Sequence, residues 1–430
     1  MKYFDTNFKN QADLLKIYIQ LKTEYGSEKI EEIYNEVKKF FDDKIEQLKE
    51  LPESKQIAID SPNDLAEIKK LRTAGPRKLF DKLPKDFSKR MQGAFIGRMA
   101  GCTLGAPVEF WEIDKMKMLA QETNLCFPPD RYWKYVWQPF AKRYETSMVK
   151  EYTSEGMDGV PVDDDITYTI LGLLILEEYG FNFTTENVGE AWVKYLPFAC
   201  SAEDIALKNL RKGIPASRSA VVDNPFCEWI GADIRADAWG YVAAGNPELA
   251  AELAYRDAYL SHRRQGIYGE MFFAAAIAAA FAVNDPMEAL KIALTEVPKT
   301  SQFYKDISWV FEIADTVKNY QEARDIVDEK FNGMHPVHTI NNACLTIFGI
   351  NIGRTNFTKV IGEVVAMGLD NDCTAATAGS IVGACIGIDN IDKHWYDKFN
   401  DKVKTYINGY PVLSISDCVA RFEKLIAALH

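Results

Sequence analysis

The 430-residue chain is 47% hydrophobic and 26% charged, which is enough apolar content to bury a large core and excludes an intrinsically disordered protein. Its formal charge of −12 excludes general attraction to phosphate backbones or anionic membranes. The start, MKYFDTNFKNQADLLKIY, has no apolar signal segment, no apolar run reaches bilayer length, and the eight cysteines include no Cys-x-x-Cys pair. A cytoplasmic protein with reduced thiols and no membrane or nucleic-acid partner is therefore expected.

From Asp13 to about Leu51, apolar residues recur three or four apart between charges, predicting two amphipathic helices. Their apolar faces need burial, so they are expected to cap the remainder rather than dock a partner. Pro52, Pro62, Pro76 and Pro84 punctuate the next stretch, which reads as a linker and places a domain edge at residue 84. Residues 1–84 are thus expected to be a helical extension and 85–430 the principal domain.

Beyond Lys85, apolar runs of ten or more residues alternate with short Gly, Asn or Pro breaks, and period-two strands are scarce. The fold class is all-α. Helices are predicted over Phe87–Leu104, Ile166–Tyr179, Glu186–Leu196, Pro247–His262, Tyr268–Ala282, Pro286–Glu296, Ser301–Lys318, His338–Gly349, Asn356–Met367 and Ala375–Gly387. The interval Phe110–Glu151 differs, with Trp111, Tyr132, Trp133 and Trp137 among prolines and basic residues. It reads either as a lid that stacks a base or as an irregular insertion packed on the surface.

Two glycine ladders carry the architecture. Gly93, Gly97, Gly101 and Gly105 lie four apart, and Gly379, Gly383 and Gly387 repeat the spacing, so each set makes one bare helix stripe. Interior glycine weakens a helix by about 1 kcal/mol relative to Ala, and close backbone approach is the compensating gain. Two helices crossing on these stripes would bring Glu109, beyond one, toward Asp370 and Asp372, at the start of the other. A third acidic group, Asp163, Asp164 and Asp165, stands before the apolar run from Ile166.

Acids at helix N-termini are favoured by about 0.3–1 kcal/mol, whereas two carboxylates about 4 Å apart repel by roughly 4 kcal/mol at an effective dielectric near 20. Capping alone does not justify a shared pocket; bound cations or protons would. The N-capping and metal-binding readings both stand for the Asp groups at this point.

The stretches GAFIGRMAGCTLGAPVE, VDDDITYT and GLDNDCTAATAGSIVGA together resemble the signature segments of the ADP-ribosylglycohydrolase family, and the resemblance runs from about Phe87 to the C-terminus. It implies an orthogonal multi-helix bundle with two Mg2+ or Mn2+ ions, hydrolysing the bond between ADP-ribose and an acceptor in an ADP-ribosylated protein or an ADP-ribose-containing small molecule. By position it implies Glu109, Asp164 and Asp372 as catalytic, and Asp163, Asp164, Asp165, Asp370, Asp372 and Cys373 as metal ligands. Asp163 and Cys373 stand where the family commonly has Thr, as does Ile166. These departures motivate a second reading, a member that binds ADP-ribose-like ligands without cleaving them.

Three further expectations concern substrate and second partners. His262, Gly266 and Gly269, in LSHRRQGIYGE, are expected to meet the ligand's diphosphate or adenosine, with a helix-end histidine as the alternative. Arg235 and Asp237 are expected to pair with each other, near the site or in the core. His335 and His338 have ligand-like spacing without accompanying cysteines, so zinc is not expected there.

Overall fold

The computed structural model describes residues 8–135 and 149–429. The chain divides into one compact unit ending at Asp60 and another beginning at Ser61. No helix among the described residues is long and apolar enough to cross a membrane, and all eight cysteines are free thiols.

The first unit contains helices Lys9–Glu24, Ile30–Lys49 and Lys55–Asp60. The predicted amphipathic pair forms, but no residue of either helix is buried, and Ile17, Ile33, Phe40, Phe41 and Ile45 are exposed.

In the second unit, residues 61–84 are structured rather than a bare linker. Asp64 caps the helix Leu65–Leu71 by accepting from the amides of Ala66 and Glu67 at 2.9 and 3.1 Å. Ile68 is fully buried, and Arg72 and Arg77 both pair with the buried Glu296. The prolines fix turns between these anchors, so a composition typical of linkers here belongs to packed chain.

Among the described residues the remaining regular structure is helical apart from one antiparallel hairpin, Lys402–Lys404 with Val412–Ser414, and two isolated bridges. At its heart the helix Gln265–Ala280 is buried along its whole length, as expected of a segment apolar on every face. It packs against helices Pro247–Ala258, Ala236–Val242 and Asn371–Ile386.

The glycine helices Phe87–Gly105 and Asn371–Ile386 cross antiparallel, main chain on main chain. A Cβ on Gly93 would strike the carbonyl of Gly383, one on Gly97 that of Gly379, and one on Gly101 that of Ala375. At the end of the seam Gly105 lies against the backbone of Asn371 and Asp372. Gly387 ends its helix at φ +72° and still belongs to the contact, since a Cβ on Gly93 would also strike the Gly387 backbone.

Gly97→Ala is accordingly expected to destabilise the protein by about 3 kcal/mol, the upper part of the range for overpacking, since a backbone carbonyl cannot rotate aside as a side chain can. Urea denaturation at neutral pH measures it; an unchanged midpoint would show that the seam is loose.

Candidate functional site

Three chain segments supply the acidic groups. The first glycine helix runs through the short turn Ala106–Val108, with Pro107 at its start, and delivers Glu109. Asp163 caps the helix Asp164–Tyr179 by accepting from the amide of Asp165 at 3.0 Å. Asp370 stands at the start of the second glycine helix, but its side chain makes no capping bond. Capping therefore accounts for Asp163 and leaves Asp370 and Asp372 without that explanation.

The backbone beside the acids is strained. Phe110 and Leu369 hold φ of +58° and +59°, and Ser201, also on the cavity wall, +41°. Such values cost bulky residues about 1–3 kcal/mol each and concentrate at functional sites. The Phe110 amide donates to the Leu369 carbonyl at 3.0 Å, which clips the Glu109 loop to the loop that carries Asp370.

Glu109, Asp164, Asp165, Asp370 and Asp372 line one cavity of about 330 Å3. Ligand atoms of Glu109, Asp370 and Asp372 lie within 4.8 Å of one another, as do those of Cys102, Asp163 and Asp165. All six predicted carboxylates are thus brought into one region. Cys373 is in neither grouping; it is buried and its thiol bonds to Asp165, whereas Cys102, on the first glycine helix, takes the ligand-like place that the sequence assigned to Cys373.

Crowding governs the electrostatics. Burial, then Asp372, Asp164 and Asp165, pushes Glu109 up to about 9. Asp372 is raised to about 6 by burial and by Asp164, and burial with neighbouring carboxylates holds Asp163, Asp165 and Asp370 well above the usual carboxylate range. One oxygen of Asp372 is buried without a hydrogen-bond partner among the described residues. Oxygen-rich donors, excess negative charge and an unpaired buried oxygen fit hard divalent cations.

A single buried guanidinium offsets this charge from behind. Arg98 donates to Asp165 Oδ1 at 3.1 Å, to the Asp165 and Ile234 carbonyls at 2.9 and 2.7 Å, and to Asp237 Oδ2 at 2.6 Å. The expected Arg235–Asp237 pair is corrected: Asp237 belongs to Arg98, and Arg235 instead binds Glu203, Asp257 and Glu270. Their side chains leave the short 3-10 turn and the helix after it toward different neighbours, so closeness in sequence does not pair them.

His262, Gly266 and Gly269 do not line the cavity. His262 is fully buried, shares a hydrogen bond with Ser261 at 2.8 Å, and is driven well below the usual histidine range by burial and by Arg235 and Arg263. A Cβ on Gly266 would meet the Cys227 carbonyl and the His262 ring, and one on Gly269 the side chains of Asp233 and Thr339. Their assignment to substrate is corrected to packing: short side chains here admit close neighbours rather than a ligand. His335 stacks on Trp229 with centroids 4.1 Å apart, and His338 caps its helix by accepting from the Ile340 amide at 3.1 Å.

In the aromatic interval, Tyr132 and Trp133 are core residues, donating to the carbonyls of Trp395 and Leu104 at 2.7 and 3.0 Å. They are not available to stack a base; Trp137 lies outside the described residues. Residues that the sequence did not single out include Arg98, Cys102, Tyr168 and Glu203. The signal for Glu203 was present in SAED, an acid in the first turn of a helix that starts at Ser201.

The model of a family described as ADP-ribosylglycohydrolase matches residues 83–424. A solved structure described as an "ADP-ribosylglycohydrolase-related protein complex" superimposes with a TM-score of 0.54 and 18% identity, covering 80% of this chain and 99% of that one. At that identity the likeness is one of fold. No curated protein matches the sequence.

Proposed function

The chain belongs to the ADP-ribosylglycohydrolase family, and from that premise we propose that the acidic cavity is the active site of a metal-dependent hydrolase that removes ADP-ribose from a protein side chain or a smaller conjugate. The observation that carries this reading is the convergence of Glu109, Asp164, Asp165 and the Asp370/Asp372 pair, from three separated segments, around one cavity, with Asp163 beside Asp165. Asp163, Asp164, Asp165, Asp370 and Asp372 would hold two Mg2+ or Mn2+ ions, with Cys102 at the edge of the set. When bound, the ions supply Lewis acidity and balance the carboxylate charge.

Glu109, ionised once cations balance the neighbouring carboxylates that hold it protonated, would take the proton of a water whose oxygen attacks the anomeric carbon. The bond from that carbon to the acceptor breaks with its electron pair passing to the acceptor atom, and Glu109 returns the proton to it. Asp164 and Asp372, on the walls of the same cavity, would add negative charge where the anomeric carbon becomes cationic. No Lys or Arg is among the described residues lining the cavity, so it receives the ribose rather than the diphosphate. A neighbouring cavity of about 290 Å3, which shares Phe110 and Val337 and contains Arg324 and His335, suits the remainder of the ligand. The first unit, ending at Asp60, would then serve as an extension to the catalytic part.

The test is release of ADP-ribose from an ADP-ribosylated protein and from a small conjugate, with Mn2+, with Mg2+ and with a chelator. Release that needs the ion supports the proposal. Ion-dependent binding without release supports the non-cleaving alternative, which the Cys373 and Asp163 positions motivate.

A further inference from the structure

Tyr168 lies one helical turn beyond Asp164, on the same face, and lines the same cavity. It is 3% exposed, and its hydroxyl has no hydrogen-bond partner among the described residues. The ring is fixed by Trp192, at 5.5 Å between centroids, and by the Arg235 guanidinium 5.8 Å from its centre. The charged groups that act on the hydroxyl are Glu203, Arg235 and Asp164. A buried phenol left unpaired is destabilising, so a rigidly held one at a cavity wall has a partner that the protein itself does not supply.

Glu203, 2% exposed, lines the same wall from the first turn of the helix Ser201–Arg211. Arg235 Nη1 donates to its Oε1 at 2.8 Å, and Gly231 packs so closely that a Cβ there would strike the carboxylate. Arg235 is shared with Asp257 and Glu270, so one guanidinium faces three carboxyl groups and Glu203 keeps accepting capacity for a further partner.

A ligand group that satisfies this wall must accept from the phenol and donate to the carboxylate. A phosphate oxygen only accepts and offers Glu203 no proton; an ammonium or guanidinium could donate to the carboxylate and to the phenol oxygen but would leave the phenol proton unpaired. An alcohol does both. The geometry points to Tyr168 and Glu203 as positioning residues that hold one hydroxyl of the substrate's terminal ribose against the wall of the cavity. The inference rests on the glycohydrolase reading and assigns to it two residues outside the acidic set.

Calorimetric titration of the full chain in Mn2+ with ADP-ribose, and with ADP, which lacks the terminal ribose, tests it. Tyr168→Phe is expected to weaken ADP-ribose binding about tenfold, the worth of one hydrogen bond, while ADP affinity stays unchanged. Its melting temperature is expected to equal or exceed that of the parent, because the unpaired hydroxyl is gone. In turnover, KM for the ADP-ribosylated conjugate should rise more than kcat falls. Glu203→Gln should act in the same direction, and the double variant should lose less than the product of the two if they share one hydroxyl. If removing Glu203 from the Arg235 network prevents folding, Tyr168→Phe alone decides. A Tyr168→Phe protein that keeps the full preference for ADP-ribose over ADP overturns the pair and leaves the proposed function standing. A parent protein with no such preference overturns both.

Discussion

Glu109→Gln is expected to fold normally and to lose about 10²- to 10⁴-fold of its ADP-ribose release, the range for removal of a positioned general base. Glutamine keeps the shape and cannot take the proton of the attacking water. The same substitution has a second readout that does not depend on turnover. Glu109 is raised to about 9 by burial and by Asp372, Asp164 and Asp165, so the folded chain binds its proton more tightly than the unfolded chain does. Such a group makes stability fall as pH rises from the ordinary carboxylate range through about 9. In a chelator, the parent melting temperature should therefore decline between these limits, whereas the Glu109→Gln protein should decline less and be the more stable at alkaline pH. Added Mn2+ should reverse the order at alkaline pH, because the cation stabilises the ionised cluster that the variant has partly lost. Undiminished release of ADP-ribose by the variant would mean that another group receives the proton.

Arg98→Met is expected to cost about 3–5 kcal/mol of stability, the range for removing one partner of a buried ion pair. Arg98 is 1% exposed and joins Asp165 to Asp237, so methionine would fill the space and leave both carboxylates without their cation. The Asp165 and Ile234 carbonyls would also lose the guanidinium as a donor, Thr169 Oγ1 still donating to the Asp165 carbonyl. Arg98→Lys should recover part of the loss, since it restores the charge but not the fork that reaches several acceptors at once. Urea denaturation in the presence of a chelator separates this effect from ion binding. An unchanged midpoint for Arg98→Met would show that Asp165 and Asp237 are held neutral in the folded protein and that the guanidinium is dispensable.

What the sequence made legible follows from local spacing. Four-residue glycine periodicity specifies a bare helix stripe, and two such stripes have one profitable use, so the crossing and the approach of Glu109 to Asp370 and Asp372 could be argued before any coordinates. Asp163–Asp165 at the head of an apolar run were visible for the same reason. Arg98 lies inside the first signature stretch yet escaped notice, because its partners are 67 and 139 residues away and nothing local marks a buried arginine. Tyr168 and Glu203 were hidden likewise: a tyrosine in an apolar helix and a glutamate in a first turn are ordinary until two distant segments share a wall. The helix Tyr320–Lys330 was missed because its polar composition leaves only Ala323 and Val327 buried, too few for a clear period. The Ile415–Ala427 helix has a plain amphipathic pattern and was legible, though it was passed over. His262 misled in the opposite way, since a histidine beside arginines and glycines has the look of an anion site while here it fills the core.

Contact between main chains has an evolutionary corollary. Where side chains meet, mutation can resize one partner and let the other compensate; where a carbonyl of Gly379 rests on Gly97, neither participant has anything left to trim. The spacing between the Glu109 loop and the Asp370 loop is thereby set by the dimensions of the peptide group itself. Substitutions elsewhere in the bundle can accumulate without changing that gauge, so drift in the surrounding helices is decoupled from the dimensions of the cavity.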